Sequence, residues 1–299
     1  MSNPVSHFIT AQDGLKLHVR AYGSSATSAL PVVCLPGLTR TGADFDPLAS
    51  ALANDAERPR YVLALDYRGR GLSDYDSNPD NYSLPVELAD VLSVLTALEI
   101  GKAVFVGTSR GGLLTMLLGP VRPAVLAGVV LNDIGPVLEP PGLARIKSYV
   151  GRLPQLNSFG EAAESLRQLF SPQFPALSAD DWRELAQRMF RDQGGRIIPD
   201  YDPKLAQALR DVDIERPLPA LWEQFDSLAD VPLLIIRGAN SDLLSAATVE
   251  AMQARRTQSE VLVVPDQGHA PLLTDEETIS RIGAFIRSCE QSGGAARQD

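Results

Sequence analysis

Cysteine and histidine are scarce in this 299-residue chain, and it carries neither a long apolar run nor an excess of positive charge. The two cysteines, Cys34 inside an apolar stretch and Cys289 near the C-terminus, cannot form a disulfide framework and read as plain thiols of a reducing compartment. The three histidines, at positions 7, 18 and 269, are scattered, so no metal site is expected, and no cofactor either. No stretch reaches the ~18 apolar residues of a membrane-crossing helix. The opening MSNPVSHFITAQDG lacks the basic and apolar regions of a signal peptide. A formal net charge of −10 argues against nucleic acid and against an acidic membrane surface as partners. The expectation is a soluble cytoplasmic protein, monomer or homodimer, whose partner is a small molecule.

The 44% of hydrophobic residues and 21% of charged ones are those of an ordinary globular protein, long enough for one large α/β core with an insertion. Strand patterns occur at His7 to Thr10 and Leu15 to Ala21, joined by the hairpin signal Asp13-Gly14, and this hairpin is expected at a sheet edge. Short apolar strands follow at 31–35, 61–65, 103–106, 127–131, 232–236 and 261–264, alternating with helical patterns. One helix starts at Ser83 and buries Leu88, Val91, Leu92, Leu95 and Leu98, and the last starts at Thr274 with a capping box to Glu277. Strand signals stop between about 137 and 226, where helical segments are expected at 142–150, 160–170 and 179–190, the last capped by Ser178 and Asp181. The organisation expected is a core of 1–136 and 227–290, a helical cap of 137–226 and a mobile polar tail of 291–299.

The apolar run Ala103 to Val106 ends in Gly107-Thr108-Ser109-Arg110-Gly111-Gly112 and passes directly into a helix-like stretch. A G-x-S-x-G turn between strand and helix has a steric logic. The serine occupies a strained turn, and only small residues two positions either side let the backbones pass. Ser109 is then a candidate nucleophile, and the N–H of Arg110, at the positive end of the new helix, a candidate oxyanion donor.

A serine hydroxyl needs a base oriented by a carboxylate. His7 and His18 fall in the N-terminal hairpin, where surface or packing roles are expected. His269 lies in Asp266-Gln267-Gly268-His269-Ala270-Pro271, directly after the last strand and therefore at the carboxyl edge of a parallel sheet, where the chemistry of such sheets collects. For the acid, Asp242 follows the strand 232–236 in the same manner and gives the chain order Ser, Asp, His. Asp133, after the strand next to the elbow, is the alternative; its Pro- and Gly-bounded junction gives it a sufficient structural role, so Asp242 is preferred. The second oxyanion donor is expected from the loop 36–42, and Pro36 has no N–H, so Leu38 is the choice.

These residues together resemble the α/β-hydrolase fold family, and within it the cap-bearing serine hydrolases. The resemblance rests on Leu35-Pro36-Gly37-Leu38, the run Asp66 to Ser73, Gly107 to Gly111, Gly238 to Asp242 and Gly268 to Pro271, in that order, and extends from the hairpin to the last helix. It implies a mostly parallel eight-stranded sheet flanked by helices, with an inserted helical cap. In similar proteins the Asp66 to Ser73 loop shapes the floor of the site, and a structural turn is also the reading of the residues themselves, because the third glycine of a dinucleotide loop is missing. Two departures stand out: Leu35-Pro36 where many relatives have histidine, and Arg110 beside the nucleophile, free to pair with a carboxylate or to meet an acidic substrate.

The chemistry expected is acyl transfer to Ser109 from a carboxylic ester or lactone, with apolar groups favoured by cap aromatics such as Tyr149, Phe170, Phe174 and Trp182, most of them cap core. A serine nucleophile disfavours the dehalogenase and epoxide hydrolase branches of similar proteins, which use aspartate. A hydrolase of carbon-carbon bonds in ring-cleavage products is the alternative enzyme, and a perhydrolase side activity needs only the same oxyanion site. A receptor that keeps the triad is the alternative of another class.

Overall fold

The computed structural model describes residues 4–210, 213 and 218–295, with side chains as far as Gln291. Ten strands and nine α-helices are found among them. In chain order they are β1 (Val5–Thr10), β2 (Lys16–Tyr22), β3 (Val32–Leu35), α1 (Asp46–Ala53), β4 (Val62–Asp66), α2 (Leu84–Ala97), β5 (Ala103–Thr108), α3 (Arg110–Val121) and β6 (Leu126–Asn132). Then come α4 (Pro140–Tyr149), α5 (Phe159–Phe170), α6 (Ala179–Met189), β7 (Phe190–Asp192), β8 (Ile197–Pro199) and α7 (Trp222–Asp226). The chain closes with β9 (Leu233–Gly238), α8 (Ala246–Arg255), β10 (Glu260–Val264) and α9 (Glu276–Ala295).

Eight strands form one sheet in the order β1-β2-β4-β3-β5-β6-β9-β10. The hairpin β1-β2 sits at the edge and pairs antiparallel with β4, and every later pair is parallel. Alternate residues of each strand face opposite sides. Val33, Leu35, Phe105, Val129 and Leu131 therefore pack with α2, α3 and α8 on one face. Val32, Cys34, Val104, Val106 and Val130 pack with α1 and α9 on the other. Both cysteines are buried free thiols on that second face, and burial pushes the Cys289 thiol up to about 11. This is the α/β-hydrolase sheet.

The stretch between β6 and β9 carries its own apolar cluster, in which Leu166, Phe170, Trp182, Leu185 and Met189 meet across α5 and α6. Ser178 and Asp181 form the expected capping box. The expectation that strands cease here needs one correction, the antiparallel hairpin β7-β8. Its strands have three residues each, too short for a period-2 pattern to emerge. This stretch is fastened to the sheet through Asp202, whose N–H donates to Gly69 O at 2.7 Å and whose carboxylate accepts from the Tyr82 hydroxyl at 2.6 Å.

The C-terminus departs from expectation twice. Helix α9 opens one residue later than the Thr274 cap requires, with the Asp275 carboxylate accepting from the Thr278 N–H at 2.8 Å. Both residues are competent caps, and the path of the chain out of the preceding loop selects between them. The helix also continues through Ala295, so 291–295 is helical rather than loose; the remainder of the expected tail, 296–299, lies outside the described residues. Among the described residues no helix is long and apolar enough to cross a membrane.

Candidate active site

Parallel pairing places the ends of β3, β5, β6 and β9 side by side, with Leu35 opposite Gly107, Thr108 opposite Asn132 and Asn132 opposite Ile236. Ser109 is the first residue past this edge. Its backbone is left-handed, with φ 51° and ψ −113°, a strained state for a residue with a side chain. The surroundings hold it there: the Ser109 N–H donates to Asn132 O at 3.0 Å, and Ser109 O accepts from the Gly112 N–H at 2.9 Å. The steric logic of the motif is visible at its glycines. A Cβ on Gly107 would lie 2.6 Å from the backbone of Gly111, and one on Gly111 would strike the Leu35 carbonyl.

His269 sits in the loop after β10 and presents Nε2 to the Ser109 Oγ at 2.9 Å. Its Nδ1 lies 2.8 Å from Oδ2 of Asp133. Asp133 is fully buried and also left-handed, with φ 53°. Its Oδ1 accepts from the Gly238 N–H at 2.8 Å and its Oδ2 from the Ser241 hydroxyl at 2.5 Å. The carboxylate is thus ringed by donors that fix its orientation and leave Oδ2 aimed at the imidazole. The loop of His269 is pinned as well: the His269 N–H donates to Gln173 Oε1 at 2.8 Å, and Asn132 Nδ2 donates to Pro271 O at 2.9 Å.

Of the two candidate acids, Asp133 and not the preferred Asp242 lies against His269. Asp242 does not bond to His269; it forms a two-pronged pair with Arg145 of α4, at 2.7 and 2.8 Å. Burial disfavours its charge, but the Arg145 guanidinium outweighs this and holds the carboxyl below its usual range. The reason lies in the path after β9. The Gly142 N–H donates to Asp242 O at 3.0 Å, and a Cβ on Gly142 would lie 2.7 Å from Leu243, so α4 clasps this loop and draws Asp242 toward itself. Asp133, one residue past the end of β6, has no such freedom.

The loop Pro36-Gly37-Leu38 runs past the elbow, with a Cβ on Gly37 falling 3.9 Å from the Ser109 Cβ. Leu38 O accepts from Arg70 Nε at 2.8 Å. Among the described residues neither the Leu38 N–H nor the Arg110 N–H donates to a protein acceptor, and both residues border the cavities at Ser109. The Arg110 side chain pairs with Glu87 at 2.5 Å, and the same fully buried carboxylate holds Arg70 at 2.7 Å. The alternative of a free guanidinium for substrate therefore gives way to structure.

His18 takes the packing role expected of it, buried with Nδ1 2.7 Å from Asp66 Oδ2. The loop Asp66 to Ser73 is a structural turn: Asp66 accepts from the Gly42 N–H at 2.6 Å, and Gly69 and Gly71 have φ of 73° and 56°. Asn132, Gln173, Ser241 and Arg145 escape a motif reading, because each acts through a contact distant in sequence. Asn132 at the end of β6 and Ser241 just after β9 leave one signal, a carboxamide or hydroxyl beside a strand end; Gln173 and Arg145, in the stretch between β6 and β9, leave none. No cluster of three or more metal-ligating side chains occurs among the described residues.

Two cavities meet at Leu38, Ser109 and Ile146. One of about 90 Å³ contains His269, Tyr149, Phe170, Phe174 and Met189, so several of the expected cap aromatics serve as wall and cap core together. The other, of about 500 Å³, is lined largely by leucines and isoleucines and borders Arg110.

A sequence model of the alpha/beta hydrolase family matches residues 32–281. The chain is 34% identical over 294 residues to the 3-hydroxybutyrate-oligomer hydrolase of Cupriavidus necator, covering 95% of this chain and 98% of that one. It is 28% identical over 287 residues to the 2-(acetamidomethylene)succinate hydrolase of Mesorhizobium japonicum, covering 94% and 96%. The crystal structure of an alpha/beta hydrolase from Novosphingobium aromaticivorans superimposes with a TM-score of 0.86 at 39% identity, over 96% of this chain and 99% of that one.

Proposed function

Because this chain belongs to the alpha/beta hydrolase family, we propose that it is a serine hydrolase that cleaves carboxylic esters by acyl transfer, with Ser109 as nucleophile, His269 as base and Asp133 as the orienting acid. The observation that carries this reading is the unbroken line Ser109 Oγ, His269 Nε2, His269 Nδ1, Asp133 Oδ2, with steps of 2.9 and 2.8 Å across the imidazole. His269 takes the Ser109 proton as Oγ bonds to the ester carbonyl carbon, and the Asp133 carboxylate steadies the imidazolium. The N–H groups of Leu38 and Arg110 receive the oxyanion. The carbon to alkoxide bond then breaks and His269 returns the proton to the leaving oxygen. Water, activated by the same histidine, releases the acid and restores Ser109. The stretch between β6 and β9, as far as it is described, serves as a cap over this centre. The relative from Cupriavidus necator, a hydrolase of 3-hydroxybutyrate oligomers, points to esters of short hydroxy acids.

Hydrolysis of a chain-length series of p-nitrophenyl esters by the wild type and by Ser109→Ala, with fluorophosphonate labelling, tests the reading. Turnover and labelling are expected, and both are expected to vanish with Ser109. Labelling without ester turnover would redirect the search to carbon-carbon substrates; absence of labelling would refute the nucleophile.

A further inference from the structure

We propose that Arg188 anchors a carboxylate carried by the leaving alcohol, so that the preferred substrates are esters whose alcohol part is itself a short hydroxy acid. This rests on the acyl-transfer reading above and adds to it which side of the scissile bond bears the charge.

The two cavities at Ser109 are chemically unlike. His269 borders only the small one and Arg110 only the large one. The proton that His269 takes from Ser109 goes to the leaving oxygen when the carbon to oxygen bond breaks, so that oxygen must lie on the His269 side. The small cavity therefore holds the alcohol, and the apolar cavity, beside the Arg110 N–H, holds the acyl chain.

The ionisable groups of the small cavity are Arg40, Asp44, Tyr149, Arg188 and His269, and burial pushes the Tyr149 phenol up, so that it carries no charge. Arg40 and Asp44 neutralise one another through two bonds of 2.5 and 2.7 Å. Arg188 has no such partner. Its side chain is only 14% exposed, it makes no hydrogen bond among the described residues, and its ion-pair contact, Glu184 at 3.9 Å, is two-thirds in solvent. Burial disfavours its charge; Asp44 offsets this in part and Arg40 adds to it, and the group's pKa is lowered. A guanidinium does not shed its proton in a protein, so beside the paired Arg40 and Asp44 the small cavity keeps a positive charge on Arg188 that Glu184, at 3.9 Å and largely in solvent, offsets only weakly. A half-hidden cation of that kind is stabilised by an anion that enters with the substrate, and the planar fork matches a carboxylate. The large cavity offers no equivalent: Arg110 is engaged by Glu87, and Asp80 at the rim is exposed and repels anions. Cleavage of a hydroxy-acid oligomer would then release one unit at a time from the carboxyl end.

The test compares a 3-acyloxy acid with its methyl ester, and with a hemi-ester of a dicarboxylic acid that carries the charge on the acyl side. The wild type is expected to prefer the 3-acyloxy acid by about ten- to hundredfold in kcat/KM, the range of a charge-assisted bond, and to disfavour the hemi-ester. Arg188→Gln is expected to collapse the ratio of acid to methyl ester, chiefly through KM, and Arg188→Lys to restore part of it. Calorimetric binding of 3-hydroxybutyrate, which needs no turnover, is expected for the wild type and lost in Arg188→Gln. Equal turnover of acid and methyl ester by the wild type, a preference that survives Arg188→Gln, or no binding of the hydroxy acid would each overturn the anchor. Binding that depends on Arg188 in a protein without Ser109 labelling would instead refute acyl transfer and leave the anchor standing.

Discussion

Exchanging Asp133 for asparagine changes one atom in a hydrogen-bond set that the structure specifies in full. The carboxylate accepts from three donors: the Gly238 N–H on Oδ1, and the Ser241 hydroxyl and His269 Nδ1 on Oδ2. An amide has one oxygen and one NH₂, and it fails in either orientation. With oxygen toward His269, its NH₂ faces the Gly238 N–H, two donors in contact at a fully buried site, which costs ~1–3 kcal/mol of stability. With NH₂ toward His269, Nδ1 must accept, its proton moves to Nε2, and the nitrogen facing Ser109 is no longer a base. Either way the imidazolium loses its counter-charge, and kcat should fall by about 10³ to 10⁴, or ~4–5.5 kcal/mol in the barrier. Asp242→Asn is the matched control. It weakens a pair whose partners are 17% and 25% exposed, worth about 1 kcal/mol of stability or less, and should leave kcat within about threefold. Turnover of p-nitrophenyl butyrate by both variants, with thermal unfolding to confirm folding, gives the answer. A folded Asp133→Asn with near wild-type kcat, or a collapse of kcat in Asp242→Asn, would refute the assignment.

Two further outcomes concern buried charge away from the reacting atoms. Glu87→Gln leaves Arg70 and Arg110 without the fully buried carboxylate that joins them, and the urea unfolding midpoint should report a loss of ~3–5 kcal/mol; a loss below about 1 kcal/mol would show that the cluster adds little to stability. Burial, with Asp66 nearby, pushes the Asp200 carboxyl up to about 6, so the folded chain holds this proton more tightly than the unfolded one, and stability declines as pH rises from about 4 to about 6. Asp200→Asn should accordingly raise the urea midpoint at pH 7.5 and leave it nearly unchanged at pH 4; an equal gain at both would exclude charge as the cause.

What the sequence determined by itself is local or periodic. The order of strands and helices follows from runs of period 2 and 3.6, and the elbow from glycines whose missing Cβ atoms let Leu35 and Gly111 pass. The place of His269 follows because a loop after a parallel strand can only emerge at the carboxyl edge. The choice of acid is of another kind. Asp133 and Asp242 both follow strands of the right sheet, and the one local difference, the Gly135-Pro136 junction after Asp133, favours Asp242, the carboxylate that does not reach His269. Only tertiary structure decides between them, through the register that sets Asn132 opposite Ile236 and through α4, which brings Arg145 from 97 residues away to occupy Asp242. Gln173 reaches the His269 loop across 96 residues, and Glu87 joins two arginines from separate loops, for the same reason. A hydrogen bond or ion pair is decided by distances of a few tenths of an ångström, and these exist only once the layers have packed.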